Sequence, residues 1–140
     1  MGDAAGALPL HEEVLRDQRE VLGDTHPAVM ITRYNIALLK GELGDPVTAL
    51  AELDVLLEQR LACYASPDHP EVLTTSFGRA RTLTRLGETE SAVTLLREVV
   101  ADRARVLGEG HRETRKAQKE LDGLLDLTTP GWPTGAGRDP

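Results

Sequence analysis

The stretch Val21-Leu22-Gly23-Asp24-Thr25-His26-Pro27 decides how the chain is read, because its parts come back. His26-Pro27 returns as His69-Pro70, 43 residues on, and His111-Arg112 follows 42 residues later. Val21-Leu22-Gly23 returns as Val106-Leu107-Gly108. A glycine keeps the same frame. Gly44-Asp45-Pro46-Val47-Thr48-Ala49-Leu50 resembles Gly2-Asp3-Ala4-Ala5-Gly6-Ala7-Leu8, and recurs more loosely as Gly87-Glu88-Thr89-Glu90-Ser91-Ala92-Val93. Three independent markers on one period indicate a solenoid, in which each unit buries its apolar face against the next.

Each period reads as two helices. Pro27 suits a first helical turn, where no N–H partner is needed. Val29, Ile36, Ala37, Leu39 and Leu43 follow at helical spacing. Gly44 stands where a left-handed residue stops a helix, and Asp45 can cap the next one. Ala49, Leu50, Leu53, Leu56, Leu57 and Leu61 then form an apolar stripe. The next period repeats this, with Leu73, Ala80 and Leu83 before Gly87, then Ala92, Val93, Leu96, Val99, Val100 and Leu107. Alanine at the equivalent positions 37, 80, 49 and 92 lets paired helix backbones approach closely. Residues 3–22 match the second helix of a period, with Pro9 inside it, and residues 112–127 match the first helix of a further one. The expectation is an all-α solenoid of six helices over residues 1–127: half a repeat, two full repeats and another half. Residues 128–140, rich in Pro and Gly, are expected to form a disordered tail, with Trp132 as its one large apolar side chain.

Composition agrees. Of 140 residues, aromatics are only 3%, too few for a typical β-sandwich, while Leu, Ala, Glu and Arg dominate. The net charge of −7 argues against a nucleic-acid binder, which needs Lys and Arg to neutralise phosphates. No apolar run is long enough to cross a membrane. Cys63 is the single cysteine, so an internal disulfide is excluded and a cytoplasmic setting is the natural reading. Arginine far outnumbers lysine, which hints at a GC-rich bacterial source.

No catalytic, metal or cofactor constellation emerges. His26, His69 and His111 recur in register, but equivalent loops on successive repeats lie about two packed helices apart, and helix axes are 8–10 Å apart. Zinc needs each nitrogen at about 2 Å. The histidines are therefore read as helix-entry residues. Gly41-Glu42-Leu43-Gly44 lacks the Gly-Lys-Ser/Thr ending of a phosphate loop. None of the serines sits in a Gly-x-Ser-x-Gly elbow. Cys63 is read as a buried or half-buried structural thiol.

The pattern resembles the tetratricopeptide repeat, in the longer form found in kinesin light chains and many bacterial proteins. The residues that carry the resemblance are Asn35-Ile36-Ala37, Gly44, Ala49, Ala7-Leu8-Pro9-Leu10 and Val21-Leu22-Gly23-Asp24-Thr25-His26-Pro27. It covers residues 2 to about 127. Three positions depart from it. Gly78-Arg79-Ala80 replaces the Asn-x-Ala of the first repeat, Ala65-Ser66-Pro67-Asp68 replaces a Leu-Gly turn, and Asp122 stands where a small packing residue is expected. The resemblance implies a right-handed α-solenoid and a non-catalytic module that binds proteins or peptides in the concave surface lined by the first helix of each pair.

Aligning those first helices by their glycines brings Ile31, Tyr34, Asn35, Leu38 and Glu42 to the groove in the first full repeat. Thr74, Phe77, Gly78, Arg81 and Arg85 follow in the second, and Lys116 and Lys119 in the last helix. The candidate contacts are Tyr34, Asn35, Leu38, Phe77, Arg81, Arg85, Lys116 and Lys119. A basic stripe on an acidic chain suits acidic side chains or a chain-terminal carboxylate. The same four cations can equally serve only to keep a helical surface soluble. A second reading is an assembly module, or a piece of a longer repeat protein, in which Leu8, Val14, Leu15 and Leu22 of the unpartnered first helix meet another copy. No cofactor, nucleic-acid or membrane partner is expected.

Overall fold

The structure, a computed structural model, describes residues 3–128; residues 129–140 of the expected tail, Trp132 among them, lie outside them, and Thr128 ends the last helix. Six helices follow in order: α1 (Ala4–Leu22), α2 (Pro27–Glu42), α3 (Pro46–Tyr64), α4 (Pro70–Arg85), α5 (Thr89–Leu107) and α6 (Arg112–Thr128). Each packs against the next in the chain, and α2 also touches α4. The first helices of the pairs, α2, α4 and α6, therefore share one side of the solenoid, and α1, α3 and α5 share the other.

The boundaries follow from local chemistry. Asp3 and Asp45 cap α1 and α3, their carboxylates accepting from the N–H of Gly6 at 3.1 Å and of Thr48 at 3.2 Å. The recurrent histidines cap α2, α4 and α6, while α5 has no side-chain cap. Nδ1 of His26, His69 and His111 accepts from the N–H two residues on, at 3.1, 3.0 and 3.0 Å. Gly23, Gly44, Gly87 and Gly108 all turn with positive φ. In the one departing turn Ala65 takes the left-handed conformation instead, at φ 54°. Helix α1 runs through Pro9, whose absent N–H forgoes a bond to the Ala5 carbonyl near the helix start.

The four register alanines, Ala37, Ala49, Ala80 and Ala92, are at most 1% exposed, as close helix approach requires. Val29, Met30, Leu53, Leu56 and Leu73 fill the first half of the core. Phe77, Leu96, Val99, Ala117, Leu121 and Leu124 fill the second.

The two ends differ. In α6 the positions of Met30 and Leu73 are taken by exposed Arg115, those of Ala37 and Ala80 by exposed Asp122, and those of Gly41 and Thr84 by exposed Asp126. The far face of α6 is thus polar, with Gln118 donating to Asp122 at 2.8 Å. In α1 the equivalent of buried Leu56 and Val99 is Val14, which is 46% exposed.

Candidate functional site

Two buried arginines organise the inner face. Arg60 near the end of α3 and Arg103 near the end of α5 occupy equivalent positions and are each 1% exposed. Nη1 of Arg60 donates to the Glu71 carbonyl at 3.2 Å and to Thr75 Oγ1 at 2.7 Å, while Nη2 lies 3.3 Å from the Glu71 carboxylate. Nη1 of Arg103 donates to the Glu113 carbonyl at 2.9 Å, with the Glu113 carboxylate 3.6 Å from Nη2. Burial lowers the pKa of both guanidiniums, and the paired glutamates oppose that shift. Each arginine also faces the aromatic residue of the preceding helix. Arg60 lies 5.8 Å from the Tyr34 ring centroid, and Arg103 lies 4.8 Å from that of Phe77.

Around this frame the expected groove residues take different places. Tyr34 is half-buried, and its hydroxyl donates to the Thr74 carbonyl at 3.2 Å. Its ring lies over Gly78, where an added Cβ would sit 2.7 Å from Tyr34 Cε1. The glycine that replaces an asparagine of the repeat pattern is thus what lets the tyrosine bridge α2 and α4. Asn35 and Leu38 are half-buried. Phe77 corrects the expectation of an open groove contact. It is 3% exposed and belongs to the core, because α5 and α6 close over it.

Two of the four basic residues lie within cation–π range of that ring. Arg81 lies 5.8 Å from the Phe77 centroid, and the Lys116 ammonium 5.6 Å. Among the described residues neither has an ion pair. Arg85 runs past the end of α2 instead, its Cδ 3.7 Å from where a Gly41 side chain would begin. Lys119 is exposed one turn beyond Lys116. Cys63 is exposed, not half-buried as expected, because it shares the outward position of Val21 and Val106.

Sequence reasoning missed Arg60 and Arg103, since an arginine ordinarily marks a surface. The signal lay in the register. Gln18, Arg60 and Arg103 are equivalent, and Gln18 Oε1 accepts from Thr32 Oγ1 at 2.7 Å as Arg60 donates to the equivalent Thr75.

No group of three or more His, Cys, Asp or Glu able to hold a metal occurs among the described residues. No described helix is long and apolar enough to cross a membrane.

The comparisons with known proteins agree with this architecture. A family model described as a tetratricopeptide repeat matches residues 1–28 and 79–113. The fold is a tetratricopeptide-like α-solenoid. Its solved neighbours point to the same variety of repeat. A kinesin light chain-like protein of Podosopora anserina, with nearly identical TPR-like repeats, is 27% identical at a TM-score of 0.76, over 89% of this chain and 58% of that one. A single-substitution variant of it aligns at 0.75 over the same shares and identity. The chain described here therefore spans little more than half the length of those structures. No curated protein sequence matches it. Tetratricopeptide repeats generally mediate protein–protein interactions, and the fold is typically a non-catalytic scaffold.

Proposed function

We propose that the chain is a non-catalytic protein- or peptide-binding module, and that its ligand is an acidic segment or a chain-terminal carboxylate held on the face of α2, α4 and α6. The observation that carries this reading is that Arg81 and Lys116 lie 5.8 and 5.6 Å from the centroid of the buried Phe77 ring, with no carboxylate partner for either among the described residues. Arg103, paired with Glu113, lies against the same ring at 4.8 Å. An incoming carboxylate would pair with Arg81 and Lys116 through charge-assisted hydrogen bonds. Tyr34, Asn35 and Leu38 flank the site on one side, and Arg85 and Lys119 extend the positive surface. The lone cysteine and arginine-rich composition fit a cytoplasmic bacterial protein.

The test is a pull-down from host lysate, comparing wild type with the triple variant Arg81→Glu, Arg85→Glu and Lys116→Glu at unchanged helicity. A partner held by wild type and lost by the variant is expected. Equal retention would remove the groove reading.

A second reading rests on α1. Leu10 and Val14 are 65% and 46% exposed, whereas Leu56 and Val99, the repeat equivalents of Val14, are at most 2% exposed. Such a face suits association with another copy or another repeat unit. Sedimentation velocity at micromolar concentration tests it, since a strict monomer would exclude self-association.

A further inference from the structure

On the α2 face opposite Ile31, Asn35 and Leu38, helices α1 and α3 flank a groove of about 950 Å³. Ile36 forms its floor, with Leu15 of α1 on one wall and Val47, Ala51 and Val55 of α3 on the other. The solenoid offers the same position once more, one repeat on, and there the groove is closed. Arg79 replaces Ile36, and its Nε donates to Asp54 at 2.7 Å, strapping α4 to α3. Glu90, Thr94 and Glu98 replace Val47, Ala51 and Val55. The volume left beside them is about 470 Å³ and borders only α4 and α5.

This contrast within one chain carries the argument. Neither packing nor solubility asks for valine on the first copy of this outer face, since the second copy is polar at all three positions and folds alike. Val47 is nonetheless 69% exposed and Val55 49%. Apolar residues on three successive turns of a helix, open to solvent, mark an interaction surface.

The charged lining of the groove is Arg16, Arg19, Arg33 and Lys40 with Glu12, Glu20 and Glu52, and the three arginines stand toward the α1–α2 turn. Arg16 has no ion pair among the described residues, and Arg19 bonds to Asp24 at 2.6 Å. Arg33 donates to the side-chain carbonyl of Gln59 and to the backbone carbonyl of Asp24, so its direct partners are neutral. Burial and the nearby Arg19 lower its pKa, while Asp24 and Glu52 oppose that shift. At the other end Lys40 is neutralised by Glu52 at 2.6 Å.

We propose that this groove receives an amphipathic helix of a partner protein, aliphatic on the face laid over Ile36 and bearing Asp or Glu at the end that meets Arg16 and Arg33. Val47 to Val55 spans about 12 Å of helix rise, so two to three turns of a partner fill it. Its anchors fall at i, i+3 or i+4, and i+7. The site is distinct from the Phe77 face and stands or falls separately from it.

The experiment is selection of helix-forming 16-residue peptides by mRNA display against the full chain. The double variant Val47→Glu, Val55→Glu serves as counter-target. Glutamates already occupy the equivalent positions of α5, so the variant keeps a native arrangement, and circular dichroism confirms it. Enrichment of peptides with aliphatic residues at helical spacing and a terminal acidic cluster is expected, with at least tenfold weaker binding to the double variant. The same peptides should bind the Arg81→Glu, Lys116→Glu variant unchanged. Recovered peptides that bind wild type and double variant equally, that end in basic residues, or that are no more enriched than on the counter-target would overturn the proposal. So would a dimer in sedimentation velocity that the double variant dissolves, because a second copy would then occupy the groove.

Discussion

The Arg103 guanidinium lies 4.8 Å from the centre of the Phe77 ring, and both side chains are almost wholly withdrawn from water. A buried cation normally costs stability, and here the cost is offset by the Glu113 carbonyl, its carboxylate and the ring face. Arg103→Ala removes a donor to that carbonyl and leaves a cavity beside Phe77. It should lower unfolding free energy by about 2–4 kcal/mol in urea titration. Glu113→Ala strips the carboxylate from a charge that stays buried, and a loss of about 2–3 kcal/mol is expected. A cost below about 0.5 kcal/mol for both would mean that the arginine swings out to solvent.

Gly78 and Tyr34 should be strongly coupled. A Cβ at position 78 would meet Cε1, Oη and Cζ of Tyr34 at 2.7, 2.8 and 3.1 Å, all atoms of a rigid ring. Gly78→Ala should therefore cost about 1–3 kcal/mol despite the gain in helix propensity. In a Tyr34→Ala background the clash is gone, and the same change should be neutral or stabilising by up to about 1 kcal/mol. Additive effects in the double-mutant cycle would separate the two residues.

Burial holds the Tyr34 phenol above its ordinary pKa, although Arg81, Arg103 and Arg60 pull it down. The folded chain keeps this proton where an unfolded tyrosine, with a pKa of about 10, begins to lose it. The folded state then binds more protons than the unfolded one. The associated stability is complete below that value and is lost as pH rises through the folded pKa. Between pH 9 and 11 wild type should lose more stability than Tyr34→Phe. Equal losses would mean that the phenol is solvated.

The histidine caps have a simple signature. His26→Ala removes the acceptor for the Ala28 N–H and should cost about 1 kcal/mol, while His26→Asp should be close to neutral. If alanine and aspartate proved equivalent, the 3.1 Å contact would carry no energy.

How much was legible beforehand follows from what repetition exposes. His26, His69 and His111 were visible as helix entries because a cap acts within two residues of itself. The helix boundaries were visible because glycine, aspartate and proline act locally too. The burial of Phe77 was not, although Tyr34 in the same register stays half-buried. Helices α3 and α4 flank Tyr34 as α5 and α6 flank Phe77, so the difference lies in how closely those neighbours pack, which alignment of a single helix does not carry. Arg60 and Arg103 were hidden for a related reason. Their acceptors lie on the following helix, 10 to 15 residues away, and composition alone suggests solvent. The outer groove was hidden until Ile36 and Arg79 were compared as equivalents, one leaving a space that the other bridges.

The polar far side of α6 gives the array a direction of growth. Arg115, Asp122 and Asp126 would meet any helix stacked after α6 with charge where the inner repeats present Met, Leu, Ala, Gly or Thr. A designer wishing to lengthen this protein could place a new helix against Val14 and Leu10 without altering the chain. At the opposite end, the interface would first have to be rewritten. The described helices thus offer a neighbour apolar side chains at α1 and charge at α6.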